Sequence, residues 1–383
     1  MGSGVSVSKI VADIRGRSSK TVKPASAAAT ETNASSSSAH PARNGAIVVD
    51  TGTGESKLIL AMKHCGTGEA GVIEFHELGL AVIDMKSAAA AMAAGDTALL
   101  DSAKAAFAAA VEAMKEIDGW EDVNIVARCL GATAWYRRGA PDEVKEYDAL
   151  LTELCKGVDV ALAALGKPGP PMQIIKVSGE GESRYEAAAV EYAVVKSKLE
   201  PPLGVLSGGS GSVQITGQGA YVCFEAFLKD GIKRIEAEGA VRADALVDWR
   251  EYCKGQFSEQ TPLADLVDLM RQLQALDEPV RVVLISGFYY GAVAAGVVKK
   301  GADPVYQPYA DVSAKLEAVI ADPNAKVKDA VNCARLATVL SSLIDPGRSD
   351  NVQLLFGRDW VLEGKPLRTT WTAGWWIGHS KLM

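Results

Sequence analysis

What this chain lacks narrows its chemistry first. It has no basic surplus: 40 lysines and arginines stand against 47 acids, for a formal net charge of -7. A protein that lives on nucleic acid draws on cations to neutralise phosphate backbone, so no nucleic-acid partner is expected. No run of about 18 apolar residues is long enough to cross a bilayer, and no apolar core of a secretory signal is seen. The six cysteines (Cys65, Cys129, Cys155, Cys223, Cys253, Cys333) stand singly without a C-x-x-C pair, which removes zinc-ribbon and dithiol readings and leaves reduced, mostly buried thiols. His64, His76 and His379 show no metal-ligand spacing. Neither G-x-x-x-x-G-K-[ST] nor a G-x-G-x-x-G opening a helix is present, so the two commonest nucleotide loops are absent.

What is there reads as an ordinary globular chain, 48% hydrophobic and 23% charged, long enough at 383 residues for two domains or lobes. The opening "MGSGVS" fits the pattern for myristoylation of Gly2, with Ser6 in the required place. Lys9, Arg15, Arg17, Lys20 and Lys23 follow, with Asp13 the one acid among them, and supply the second, electrostatic signal that one acyl chain needs to hold a membrane surface. An unmodified leader of small residues fits the same letters. Residues 18–43 are Ser, Ala, Thr and Pro with almost no large apolar side chain, and are expected to form a disordered tether within 1–44. The sequon at Asn33 is idle in the intracellular, cytoplasmic setting expected here, on a membrane's cytoplasmic face if Gly2 is acylated.

The folded part alternates strand and helix. "AIVVD" and "SKLILAMKH" read as strands around a short turn, and "AGVIEFHELGLAVID" as a third. Residues 84–117 are alanine-rich and helical, broken near Gly95 and Asp96, and a second long helix is expected over about 141–164. "VNIVARCLGATA" is a strand entering a glycine turn, "MQIIKVSGEGE" a strand then a loop, "YEAAAVEYAVV" a helix, and "LGVLSGGSGSVQI" strand, glycine loop, strand. This is an α/β pattern. Two similar loops predict two related lobes facing across a cleft: 45–185, with a carboxy-terminal helix 366–383 returning to it, and 186–365.

In "DTGTGES", Gly52 and Gly54 permit close backbone approach, Thr53 and Ser56 offer hydroxyls, Asp50 suits a cation held through water, and Lys57 suits phosphate. A tight hairpin turn uses the same residues, so both readings stand for this segment alone. "SGGSGSVQI", from Ser207, repeats the design and points to one anion clamped between two hairpins.

Five regions in order resemble the conserved segments of the apyrases, the nucleoside tri- and diphosphate phosphohydrolases related to guanosine diphosphatase. They are "VVDTGTGESK", "LGATAWYR", "SGEGESRYEAAAVEYAV", "LSGGSGSVQI", and "SGFYYGA" with "WTAGWWIG". The resemblance implies a two-lobed actin-like ATPase (RNase H-like) fold with a central interlobe cleft. It also implies site roles. Glu182 is the base that takes a proton from water, and Ser212 and Gln214 hold that water in line. Thr133 and Arg137 belong to the catalytic region. Thr51, Gly52, Thr53, Gly54, Ser56 and Lys57 form the first phosphate loop, and Gly208, Gly209, Ser210 and Gly211 the second. Asp50 organises water around Mg²⁺ or Ca²⁺, and Tyr290 with Phe288 stacks a nucleobase.

The residues by themselves allow blander roles. Glu182 reads as a solvated loop carboxylate and Arg137 as a surface arginine packed on Trp135 and Tyr136. "FYYGAVAAGV" makes a core helix with two of its three aromatics inside, and Trp371, Trp375 and Trp376 are lobe packing. The chain also departs from the pattern. Ser207 stands where the family has the second metal-site aspartate, Gly54 replaces a hydroxyl and Gly181 an acid. The expected activity is metal-assisted hydrolysis of nucleoside di- or triphosphates. A catalytically weak nucleotide-binding scaffold or sensor is the alternative, because Ser207 weakens the metal site, and polyphosphate hydrolysis is a third reading.

Overall fold

The structure, a computed structural model, describes residues 43–52, 56–63, 73–79, 84–209, 212–217, 220–225, 250–251, 270–271, 274, 279–362 and 364–380. Gly2 and the expected tether, apart from residues 43 and 44, lie outside them.

The apolar run at 46–49 forms the middle of strand β1 (Arg43–Thr51) and is buried on both faces, as a continuous run requires. Its side chains divide by parity. Ile47 and Val49 enter a core beneath the helices of the first half, while Ala46 and Val48 enter a different core on the other face. β1 turns back as β2 (Ser56–Lys63), which pairs with β3 (Ile73–Gly79); both pairings are antiparallel. β4 (Val123–Ala132) and β5 (Gln173–Lys176) add in parallel, giving the order β3-β2-β1-β4-β5.

The alanine-rich segment is two helices, α1 (Met85–Ala93) and α2 (Ala98–Ala113), as the break near Gly95 predicts. Asp84 caps α1, its Oδ1 accepting from the amides of Lys86 and Ser87 at 3.1 and 3.2 Å. After the short α3 (Ala134–Arg137), the 22-residue α4 (Glu143–Ala164) packs with α1 and α2 over the outer face of the sheet.

Helix α5 (Gly179–Lys196) corrects the sequence reading. "SGEGE" is not a loop: Ser178 caps the helix, its Oγ accepting from the Gly181 amide at 2.9 Å, so Glu182 stands on the first helical turn. Two glycines suggest a loop, but the cap and the acids Glu180 and Glu182 at the positive end of the helix outweigh their cost. The helix also runs unbroken through residue 185, where a lobe boundary was expected.

The second half repeats the first. β6 (Gly204–Gly208), β7 (Ser212–Gly217) and β8 (Ala220–Glu225) are antiparallel neighbours, and β9 (Val280–Ser286) pairs in parallel with β6. Helices α6 (Gly287–Ala294), α7 (Tyr309–Ala321) and α8 (Val327–Leu343) lead to β11 (Val352–Phe356), parallel to β9, with the two-residue β10 (Gln307–Pro308) on its edge. The order β10-β11-β9-β6-β7-β8 is therefore that of the first sheet plus one edge strand.

A third core lies between the inner sheet faces and holds α5 with α9 (Trp371–Ser380). A helix expected from residue 366 begins instead at Trp371, because Lys365–Arg368 is β13, hairpin partner of β12 (Asp359–Leu362). Trp371, Trp375 and Trp376 are buried in this core, as the lobe-packing reading holds, and Trp371 also lines the cleft described below. Gly374 lets α9 lie directly on α5: a Cβ there would sit 1.7 Å from the Tyr185 carbonyl oxygen. Cys129, Cys155 and Cys333 are buried free thiols. Among the described residues no helix is long and apolar enough to cross a membrane.

Candidate active site

The two hairpins meet a common cleft of about 500 Å³. In the first, Asp50 stands opposite Lys57 in register, at the end where the strands turn. In the second, Ser207 stands opposite Gln214. All four side chains line the cleft together with Gly52, Gly208 and Gly209. Asp50 and Lys57 are thus hairpin partners that also line the cleft. Lys57 is held by Glu77 of the adjacent strand, Nζ to Oε1 3.2 Å.

Glu182 enters from the first turn of α5. Arg137 holds it: Nη1 donates to Glu182 Oε2 at 3.0 Å and to the Val177 carbonyl at 2.8 Å, while Nη2 reaches Ser212 Oγ at 3.4 Å. Gln214 Nε2 donates to the same Ser212 Oγ at 2.6 Å. One guanidinium therefore links Glu182 on the first half to Ser212 and, through it, Gln214 on the second. The surface-arginine reading fails because Trp135 and Tyr136 turn away to pack with Tyr147. Thr133 also lines the cleft, its Oγ1 donating to the Thr51 carbonyl at 3.3 Å. Gly131, before it, has no side chain because the Trp371 ring occupies that space, 2.1 Å from where a Cβ would stand.

Ser207 is buried, and its Oγ donates to Glu186 Oε1 at 2.8 Å, with Ser286 Oγ 3.2 Å away. Ser286 has φ 58°, a left-handed backbone uncommon for serine, at the junction of β9 and α6 beside the cleft. Burial, then the charge of Glu182, pushes the Glu186 carboxyl well above its ordinary range; Ser207 and Arg137 oppose this and Asp50 adds to it. Burial likewise raises Asp50 to about 7, with Lys57 opposing, Glu182 adding, and a hydrogen bond from the Trp371 indole opposing.

A raised carboxyl has a stability sign. The folded chain holds the Asp50 proton more tightly than the unfolded one, so Asp50 costs nothing below about pH 4, more as pH climbs to about 7, and a constant amount beyond. Asp50→Asn should therefore stabilise the metal-free protein by a margin that is absent at pH 4 and grows to at most about 4 kcal/mol at pH 7. Thermal melts of both proteins in chelator across that range check it; a difference independent of pH would count against the buried carboxyl.

Some expected site residues do not face the cleft. The Thr51 hydroxyl is fully buried and donates to the Gly131 carbonyl at 2.8 Å, and Ser56 is fully enclosed. Phe288 is also fully enclosed, against Gly208 and 5.8 Å from the Arg335 guanidinium, so it cannot stack a base. Helical rotation turns Phe288 and Tyr289 into the core and leaves Tyr290 44% exposed at the cleft. Thr53, Gly54, Ser210 and Gly211 lie outside the described residues.

Sequence reasoning missed Glu186, Arg335, Arg358 and Arg368, all of which line the cleft. Glu186 had a signal: it follows Glu182 by four residues, and one helix face carries both. The arginines come from three separated segments and had none. Arg335 is 5% exposed and lowered by burial to about 10, so it stays charged at neutral pH. Arg368 pairs with Glu77 and Asp359.

No family model and no curated protein matches the chain in sequence. Solved structures do match in shape. A Ppx/GppA family member from Aquifex aeolicus superposes with a TM-score of 0.51 at 12% identity, over 89% of this chain and 98% of its own. An exopolyphosphatase from Cytophaga hutchinsonii gives 0.51 at 15% identity, with the same two coverages. This is the two-lobed actin-like ATPase fold. A nucleoside triphosphate hydrolase from Neospora caninum reaches a TM-score of 0.48 at 11% identity, over 87% of this chain and 91% of its own, too low to add to that statement. At these identities the likeness is one of architecture.

Proposed function

We propose that the protein hydrolyses the terminal phosphoanhydride of nucleoside di- or triphosphates. The observation that carries the reading is the continuous set Glu182–Arg137–Ser212–Gln214, which joins the two halves and presents Glu182 and Gln214 to the cleft. Glu182 takes a proton from a water that Ser212 and Gln214 hold. The water oxygen bonds to the terminal phosphorus, and the anhydride oxygen leaves on the shortened phosphate. Lys57 and Arg335 face the cleft with charges that oppose those of the phosphates.

A divalent cation fits the donors present. The Asp50 carboxyl is buried at the cleft with the Trp371 indole its one neighbouring donor among the described residues, which leaves it acceptor capacity for a cation or its water. When bound, Mg²⁺ or Ca²⁺ would neutralise phosphate charge. Among the described residues no three acids, histidines or cysteines form a self-sufficient cage, so water and phosphate oxygens complete the shell.

The test is a phosphate-release panel over ATP, ADP, GDP and long-chain polyphosphate, with and without Mg²⁺ or Ca²⁺. Metal-dependent release from nucleotides is expected. Tight nucleotide binding without release supports the weak-binder alternative instead.

One observation favours a polyphosphate substrate as the second reading. The Arg358 guanidinium lies 4.6 Å over the Tyr290 ring, where a base would stack, and Arg335 and Arg368 also line the cleft. A base on Tyr290 is worth about 1–3 kcal/mol of stacking. Tyr290→Ala should therefore raise KM for ATP at least about fivefold and leave polyphosphate unaffected; equal effects on both would remove the nucleobase role. A membrane tether through Gly2 is also proposed, and intact-mass measurement of the native amino terminus decides it.

A further inference from the structure

The cleft carries two buried carboxyls, Asp50 from the first hairpin, whose nearest donor is the Trp371 indole, and Glu186 from helix α5, whose Oε2 meets no hydrogen-bond donor. Glu186 is 5% exposed, and removing such an oxygen from water without a partner is costly. Its other oxygen is fixed by the hydroxyl of Ser207, the β6 residue opposite Gln214. Glu182 and Glu186 share one helix face four residues apart, a like-charge arrangement that disfavours the helix unless a cation or proton offsets it. Arg137, the nearby cation, is engaged with Glu182. A serine at 207 is too short and too weak a donor to serve a hard cation in place of a carboxylate, but it is well placed to aim one.

We propose that Glu186 supplies from helix α5 the carboxylate absent at Ser207, and that Glu186 Oε2 and Asp50 Oδ1 form a two-carboxylate site for a divalent cation, with Ser207 as the positioning residue. This rests on the phosphohydrolase reading for its purpose but not for its test. Two carboxylates suit Mg²⁺, which keeps several waters and completes its shell with phosphate oxygens. Affinity for the metal should therefore rise when inorganic phosphate is present.

The experiment is Mn²⁺ binding to the full chain, read by loss of the free-ion EPR signal, with and without inorganic phosphate. Glu186→Gln should weaken binding about tenfold or more, and Ser207→Ala by a few-fold through loss of aim. The double variant Glu186→Gln with Ser207→Asp returns one carboxylate to the strand and should restore binding to within about threefold of wild type.

Wild-type affinity in Glu186→Gln, or no Mn²⁺ binding by the wild type, overturns the proposal; the former would leave Glu186 a neutral acid that donates to phosphate. Should the single variant fail to fold by circular dichroism, the double variant decides: folded without Mn²⁺ binding, it also overturns the site. Failure of the hydrolase reading is distinct, since it appears as no phosphate release by the wild type, whatever the Mn²⁺ affinities.

Discussion

Glu182→Gln is expected to lower kcat for phosphate release by about 10³-fold with KM within about threefold. Glutamine keeps the length of the side chain and an oxygen able to accept from Arg137 Nη1, so the link to Ser212 and Gln214 survives. What it removes is the capacity to take the proton. A side chain that merely propped Arg137 would lose little on this change, so the size of the effect separates a base from a strut. Steady-state release at saturating substrate measures it, and a kcat within about tenfold of wild type would remove Glu182 from the chemistry.

Gly374→Ala is expected to be the most damaging single methyl in the molecule. The new Cβ meets backbone, the Tyr185 carbonyl oxygen at 1.7 Å and its carbon at 2.4 Å, and backbone cannot swing aside as a flexible side chain can. Either α9 lifts from α5, exposing Trp375 and Trp376, or α5 shifts and carries Glu182 and Glu186 with it. Overpacking of this kind costs about 3 kcal/mol or more, roughly 5 °C or more in melting temperature. The same helix holds its own control. Gly378 is exposed with nothing within 4 Å of a Cβ, so Gly378→Ala should be neutral or stabilising by up to about 1 kcal/mol. Thermal melts of the two variants side by side check the contrast; similar melting temperatures would mean that the helices do not touch as described.

The two-lobed α/β plan was legible because strand parity and glycine loops are local signals. Val48 and Val49 sort to opposite cores from adjacent positions, and the glycine-rich segments separate strands that pair as hairpins, β1 with β2 and β6 with β7. The tryptophans at 371, 375 and 376 announced a buried helix face in the same way. What was not legible depended on rotation or on distance. That Tyr290 faces the cleft while Phe288 does not follows from the rotation of α6, which its uniformly apolar sequence leaves undetermined. The start of α5 was hidden by two glycines, and with it went the shared face of Glu182 and Glu186. Arg335, Arg358 and Arg368 converge only after α8, the segment before β12 and β13 itself have packed, and no window of sequence contains that meeting.

The seating of α9 against α5 also sets a timetable for the chain as it is made. β1 and α5 leave the ribosome long before residues 371–380, yet both belong to the core that those residues complete. Until then Val48, Val190 and Val194 face an unfinished apolar layer, and Glu182 has no firm floor beneath its helix. Contacts between such distant segments close late and slowly, and half-made apolar surfaces of this kind are what chaperones engage. The cleft is accordingly among the last parts of the molecule to mature, and a nascent chain short of α9 carries its candidate base without the support that aims it.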